Sequence, residues 1–521
     1  MKRELRITYY ALRAFTSRHR WLAILATLVL CAALAAGAGY LLAEFGALVA
    51  TAGLVGLLLG LWMLRDIEIA YWGVIGVVCL LPFASFPFSI GFTPTFLDAA
   101  LGALFFVWAL QIASGAQRNF VGTALGLPIA LFMLLAVGSF VFGLSHAPLT
   151  SYVLRHFGEI LLSVGLFFLV VNTVRDAARL ERVARALFLG AFAAAALGIL
   201  LYVVAAYISD DLVITALSQL ARLGYPAGPG VLRYIRDDPE LPMRATSTSV
   251  DPNVLGSLLN LTLGMAVPLL FAQQSHPHSH TPTLIPRRYL VPMLGVMALC
   301  LGLTISRGSL VGVGVALAVV ATLRYRKLWL FLLAALALVL LLPQTQDYVA
   351  HLVEGLWGFA GLRGGDLATQ MRFGEYKDAF ILIGRYPWLG VGFGGSPDID
   401  TYVGVANVYL LIAEMMGLVG LTGFLVVIVT LFVRFWRTRT LAATVPELEP
   451  LWWGLHAALI GALVGGIVDH YFFNLDFHHS VTLFWLVVGL ATAATEIIRH
   501  RATVTAANSQ TRSLVQEDAD G

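Results

Sequence analysis

The chain has 521 residues, of which 59% are hydrophobic and only 12% charged, and its mean hydropathy is +0.84. A soluble protein of this length carries about a quarter charged residues, so a soluble domain is excluded as the main architecture and apolar runs of ~20 residues, each able to span lipid, are expected instead. A net charge of +3 gives no basis for nucleic-acid binding.

Residues 1–20, with "KRELRITYYALRAFTSRHR", are too charged for the apolar core of a signal peptide. They read as a basic cytoplasmic segment, either an interfacial helix on an anionic leaflet or a disordered tail. Apolar spans then fall near 21–43, 46–64, 69–92, 96–113, 124–144, 154–174, 183–207, 250–272, 289–305, 308–323, 327–342, 405–433, 451–468 and 480–498. The expected fold is an all-α, polytopic membrane helical bundle of about 12–14 spans. The first hairpin and the proline-containing third span decide between the two counts.

Orientation follows from Arg and Lys in short loops. With the N-terminus inside, the inner loops hold Arg65, Arg118, "RDAARLERVAR", Arg287 with Arg288, "RYRK", "RFWRTR" and "RHR". Both termini are then cytoplasmic. The chain divides into membrane helices 21–207, an outer loop 208–249, membrane helices 250–342, a large outer loop 343–404 with a short interfacial helix, membrane helices 405–498 and a cytoplasmic tail 499–521. Cys31, Cys79 and Cys300 fall inside apolar runs and read as small hydrophobes, with no disulfide frame and no metal site.

The same threading puts Arg155, Arg222, Arg233, Arg236, Arg244, Arg307, Arg363, Arg372 and Arg385 outside, where the inner-loop rule does not account for them. Arg155, Arg244, Arg307 and Arg372 abut helix ends. Lysine occurs only at Lys2, Lys327 and Lys377, and arginine is the side chain that grips phosphate with two donors at once. A set of arginines at one interface points to a phosphorylated lipid head group; the alternative is that each pairs with a nearby acid, such as Asp251, Glu375 or Asp237. Arg307 lies in the tight turn of "LTISRGSLVG" and so at the mouth of the bundle. "DLATQMRFGEYKDAFILIG" puts Arg372, Glu375 and Tyr376 on one helical face, followed by the Pro- and Gly-punctuated loop "RYPWLGVGFGG". Asp251 precedes Pro252 as a helix cap. "SHPHSHTP" (275–282) reads as an adventitious metal binder, "PDID" has the spacing of a nucleotide-sugar metal site on the wrong face, and "DHYFFNLDFHH" (469–479) packs Asp469, His470, Asp476, His478 and His479 into an outer turn, either a proton-handling cluster or a polar cap on a short loop. No nucleotide-binding glycine loop, nucleophile elbow or zinc helix motif is present.

"LTISRGSLVG", "MRFGEYKDAFILIGRYPWLGVGFGG" and "ANVYLLIAEMMGLVG" stand in that order between apolar spans. Over residues 244–490 the chain resembles the O-antigen ligase and O-antigen polymerase superfamily. The resemblance implies a multi-pass protein of the cell inner (plasma) membrane, active on the face away from the cytoplasm. Its implied activity is transfer of a glycan from a polyprenyl-pyrophosphate carrier to a lipid or glycan acceptor in cell-surface polysaccharide biosynthesis. It implies no cofactor and no metal, and partners limited to the lipid-linked glycan, the acceptor and membrane lipids. Arg307 and Arg372 match the family's arginines; Arg155, Arg244, Tyr376 and Asn407 complete the expected pyrophosphate- and glycan-binding set. One departure stands out. In the family signature His-[Asn/Ser/Gln]-x9-Gly-x-x-[Gly/Thr/Tyr], Asn407, Gly417 and Gly420 keep register, but Ala406 stands where the family has histidine. A substitute base is then expected from His470, with Asp469 to orient it, or from Glu375 or Glu414. The alternatives are a mechanism driven by pyrophosphate departure with little base help, a catalytically silent lipid-linked-glycan binding protein, or a membrane transporter of a small anion. Transport is opposed by charge collected at one face rather than mid-membrane and by the lack of an inverted repeat.

Overall fold

In lipid every backbone polar group must be satisfied within the chain, which leaves helices as the spanning element for long apolar runs. The computed structural model describes residues 58–341 except Ile90, Arg118, Arg236, Asp237, Pro242 and 276–284, residues 367–520 except Ile399, and scattered positions between Trp21 and Gly56. The basic segment 1–20, Cys31, Arg236, Asp237, Arg363, most of "SHPHSHTP" and the first part of the 343–404 loop lie outside the described residues.

Fourteen α-helices follow Gly60 among the described residues: α1 (Ile67–Leu80), α2 (Phe96–Ala113), α3 (Gly126–Gly143), α4 (Ser151–Thr173), α5 (Ala177–Tyr207), α6 (Asp210–Ser218), α7 (Pro252–Ser275), α8 (Arg287–Thr304), α9 (Arg307–Leu323), α10 (Leu328–Leu341), α11 (Leu367–Arg385), α12 (Val408–Ala442), α13 (Glu449–Gly465) and α14 (His478–Asp520). Eight helical segments are long and apolar enough to cross a membrane: Phe96–Ala113, Gly126–Gly143, Ser151–Thr173, Ala177–Tyr207, Pro252–Phe271, Arg287–Thr304, Val408–Ala442 and Leu475–Thr503. The shorter α1, α9 and α10 are also apolar, and the first two expected spans lie mostly outside the described residues. The 208–249 segment is not wholly irregular: it holds α6 and a two-residue antiparallel ladder of β1 (Arg233–Tyr234) and β2 (Met243–Arg244). "RDAARLERVAR" was expected as a loop but is helical, because Asp176 caps Arg179 N–H and the Ala, Leu, Glu and Arg that follow are strong helix formers.

The chain divides into two units. In the first, Met63 packs on Gly73 and Trp108 donates to Gln117 Oε1 at 3.1 Å. The second, residues 74–101 and 121–521, carries everything that follows. Its centre is α7, packed against α13, α8, α9 and α5; α14 lies against α4, α13 and α12, and α11 rests on α12. Because lipid tails are as apolar as leucine, close approach of small residues holds such helices together. Gly264 faces the Ala458 backbone, Gly454 faces the Met265 backbone, and Gly312 and Gly461 meet around Asn260. The buried Asn260 amide donates to Gly461 O at 2.9 Å, tying α7 to α13 beside α9.

One helix is broken on purpose. Within α12, Gly417 has φ 68° and ψ −176°, a conformation closed to side-chain-bearing residues. The glycine-rich loop after α11 fills the break. Val391 N–H donates to Glu414 O at 2.8 Å, Gly392 N–H to Met415 O at 3.0 Å, and Leu418 N–H to Pro387 O at 2.7 Å. Gly390 and Gly392, at φ 69° and 81°, press against the α12 backbone and the end of α3 respectively. Backbone meets backbone with no room for a Cβ, which explains the pairing of "LGVGFGG" with "MMGLVG".

Candidate functional site

The site is built from helix ends. Between α8 and α9 only Ile305 and Ser306 intervene, and Ile305 turns the chain at φ 53°. A β-branched residue in that region is strained. Val250, at φ 60°, does the same just before Asp251. Strain of this kind, of order 1–3 kcal/mol a residue, persists where surrounding structure enforces it and clusters at functional sites. The two turns set Arg307 at the first position of α9 and Asp251 at the start of α7, where Asp251 Oδ1 accepts from Asn253 N–H at 2.6 Å and Val254 N–H at 3.3 Å. The capping role read from "SVDPN" is therefore present.

Arg244, at the end of β2, donates from Nε to Thr304 O at 2.8 Å and from Nη2 to Asn253 Oδ1 at 2.7 Å, so it pins the end of α8 to the start of α7. Burial lowers its guanidinium from the ordinary range, opposed by Asp251, Tyr471 and Asp469, while Arg307 adds to the lowering. These dependences put Arg244 in the electrostatic range of both Asp469 and Arg307.

Asp469, in the link between α13 and α14, is the common point. Arg372 Nη2 lies 3.4 Å from its Oδ1. On the other side, a Cβ added to Gly308 would stand 2.8 Å from Oδ2, so the first turn of α9 abuts the carboxylate and only glycine allows it. Burial pushes Asp469 up to about 7; Arg372 and Arg244 pull it down and Asp251 pushes it further up. Its neighbour Tyr471 reaches Asp251 Oδ1 at 3.4 Å.

The α11 face behaves as its spacing implies. Tyr376 donates to Ile467 O at 3.1 Å, beside Asn407, whose amide donates to the same carbonyl at 2.8 Å. Asn407 also caps α12, its Oδ1 accepting from Tyr409 N–H at 2.9 Å and Leu410 N–H at 3.0 Å. Glu375 Oε2 accepts from Ala406 N–H at 2.9 Å. His470 Nδ1 lies 3.1 Å from Gly404 O and 3.0 Å from Val405 O. Both partners are acceptors, so Nδ1 carries the proton and the lone pair is on Nε2. Burial lowers the His470 imidazole below its usual range, which keeps it neutral near pH 7. Its ring therefore stands on the backbone just before Ala406, and its orienting partners are those two carbonyls rather than Asp469, which faces the arginines. Glu414, also a candidate base, is buried under the same loop and accepts from Gly404 N–H at 3.4 Å.

Arg155 does not join this group. Its guanidinium is held by Asp98 Oδ2 at 3.2 Å and Glu159 Oε1 at 2.8 Å, acids that sit in apolar runs and that sequence reasoning passed over. The signals were present: Asp98 closes a capping box with Thr95, and Glu159 is a lone acid inside a span. Asp398 of "PDID" is an ion-pair partner of Arg385 at 2.5 Å. Cys79 and Cys300 are free and buried.

No curated protein matches the chain. A family model described as O-antigen ligase matches residues 292–425, about a quarter of the length, and takes in Arg307, Arg372, Glu375, Tyr376 and Asn407 but not Arg244, Asp469 or His470. The chain carries an O-antigen ligase domain, and that domain supports its place in the O-antigen ligase and polymerase superfamily.

Proposed function

We propose that the protein transfers a glycan from a polyprenyl-pyrophosphate carrier to a lipid or glycan acceptor, at the membrane face away from the cytoplasm. The observation that carries this reading is the meeting of two arginines, distant in sequence, at one carboxylate, with the Arg307-bearing first turn of α9 against its other oxygen: Arg372 lies 3.4 Å from Asp469 and Arg244 is within its field. Such a nest holds an anion with oxygens spaced like those of a phosphate. Asp469 occupies it at rest. When the donor's pyrophosphate takes over the arginines, Asp469 loses its counter-charge and gains affinity for a proton.

In the reaction, the acceptor hydroxyl oxygen bonds to the anomeric carbon while the bond from that carbon to the pyrophosphate oxygen breaks. The arginines stabilise the charge growing on the leaving pyrophosphate. The hydroxyl proton goes to His470 Nε2, whose ring is held by two backbone carbonyls beside the place of the absent family histidine. Tyr376 and Asn407 position the glycan side.

The test is transfer from a synthetic polyprenyl-pyrophosphate glycan by the purified protein. Loss of a charge-assisted contact costs on the order of 1.5–3 kcal/mol, so Arg372→Lys and Arg307→Lys should each slow transfer at least ~10-fold, since lysine keeps the charge but not the two-donor grip. General-base help is worth ~100- to 10,000-fold. His470→Ala should therefore cut the rate at least ~10-fold, and adding Ala406→His should recover part of it. Full activity of both lysine variants would end the reading of a pyrophosphate nest.

A further inference from the structure

A second polar group lies apart from the arginine nest, where the first turns of α2 and α14 meet the N-terminal half of α4. Asp98, Glu159 and His478 each turn one ligand atom toward the others, all within 4.8 Å. His478 Nδ1 stands 3.9 Å from Asp98 Oδ1 and 3.7 Å from Glu159 Oε2. His156 Nδ1 adds a fourth atom, 2.9 Å from Glu159 Oε2.

The division of oxygens is informative. Arg155 holds Asp98 Oδ2 and Glu159 Oε1, and Thr95 N–H also bonds Asp98 Oδ2. Arg155 and Thr95 thus use Asp98 Oδ2 and Glu159 Oε1, while Asp98 Oδ1 and Glu159 Oε2 face the imidazole of His478, with His156 Nδ1 also against Glu159 Oε2. That imidazole is 8% exposed as a side chain, yet neither ring nitrogen makes a hydrogen bond: Nε2 has no partner, and Nδ1 looks across gaps too long for one. A buried imidazole in this condition needs an explanation. Two carboxylates and one guanidinium leave a net charge of −1 when both histidines are neutral, which favours a cation in the gap. In a tetrahedral site with bonds of 2.0–2.2 Å, neighbouring ligand atoms lie about 3.4 Å apart, close to the 3.9 and 3.7 Å from His478 Nδ1 to the two carboxylate oxygens.

We infer that Asp98 Oδ1, Glu159 Oε2 and His478 Nδ1 form a binding site for a transition-metal dication of the zinc class, with His156 beside it. Mixed imidazole and carboxylate ligands select this class over magnesium or calcium. The ion would tie α2, α4 and α14 together, and the inference is independent of the glycan-transfer reading. Removing His478 takes away the buried imidazole that faces both acids; removing the charge of Asp98 takes away a ligand oxygen without changing shape.

The test uses the full-length, tag-free protein in detergent, with His276→Ala, His278→Ala and His280→Ala introduced together so that the histidine-rich segment cannot bind the probe. Zn²⁺ alone should bind at one ion per chain by calorimetry, and Co²⁺ alone should give the visible absorption bands of a low-coordinate site. Because even second-shell changes cost about 10- to 100-fold in metal affinity, His478→Ala and Asp98→Asn should each weaken binding at least ~10-fold. Zn²⁺ should raise the melting temperature of the parent but not of the two variants, which also reports that the variants are folded. Absence of stoichiometric binding in the parent, or binding undiminished in both folded variants, overturns the site.

Discussion

Asp469 shows what one buried carboxylate can cost. The rise from 3.8 to about 7 corresponds to roughly 4 kcal/mol in favour of the protonated form. The sign follows from linkage. Below pH 3.8 the acid is protonated in both folded and unfolded chains and no penalty exists. As pH climbs toward 7 the unfolded chain ionises first, so stability falls, and the loss is complete above about 7. The groups facing Asp469 are Arg372, Arg244 and Asp251. Asp469→Asn should therefore melt higher than wild type, and its advantage should widen by about 2–3 kcal/mol between pH 5 and pH 8. Melting curves across that range check it; a constant gap would mean that Asp469 ionises normally in the fold. The same variant should be impaired in glycan transfer, because a group kept at such cost is kept for use.

At the scale of elements, the join between the 386–395 loop and the broken α12 is the feature most sensitive to a single methyl. At Gly417 an added Cβ would collide with the Trp388 carbonyl and be forced into a backbone region costing about 1–3 kcal/mol. Gly417→Ala should lower the melting temperature by several degrees. Gly395→Ala is the comparison: its φ is 107°, but nothing lies near its Cβ, so it should cost less. Equal melting temperatures for wild type and Gly417→Ala would show that the loop does not press on the helix.

For the whole molecule, the arginine threading remains a proposal with a direct check. Among cysteine variants in intact spheroplasts, Asp211→Cys and Asp400→Cys should react with an impermeant thiol reagent while Thr281→Cys should not. The opposite pattern would reverse the bundle and remove the outer-face site. Much of the bundle could be read in advance because long apolar runs have few alternatives to helix. The eight long spans all fall on expected runs. The break in α12 could not, since "VYLLIAEMMGLVGLTGFLVV" is apolar on both sides of Gly417 and hydropathy carries no φ. Arg244 and Arg307 were legible as arginines at the ends of elements, whereas Arg372, expected at a helix end, lies in the second turn of α11. That Arg372 and Arg244 share Asp469 was not legible, because these residues are brought together only by tertiary packing. For the same reason Arg155 was grouped with them: its acids, Asp98 and Glu159, are hidden inside apolar runs.

The loop that fills the break in α12 also has a place in time. Loops ordinarily exchange their amide hydrogens quickly, at free energies near zero, whereas core helices exchange only through larger openings. The Val391 and Gly392 amides point into α12 carbonyls and both residues are buried. They can meet solvent only when the loop leaves the helix, an opening that strips Glu414 and Met415 of partners in the same event. Deuterium uptake for 388–393 should therefore be slow and should rise together with that of 413–419, whereas 400–403, exposed at Asp400 and Tyr402, should exchange early. In kinetic terms the segment belongs to the helix it plugs.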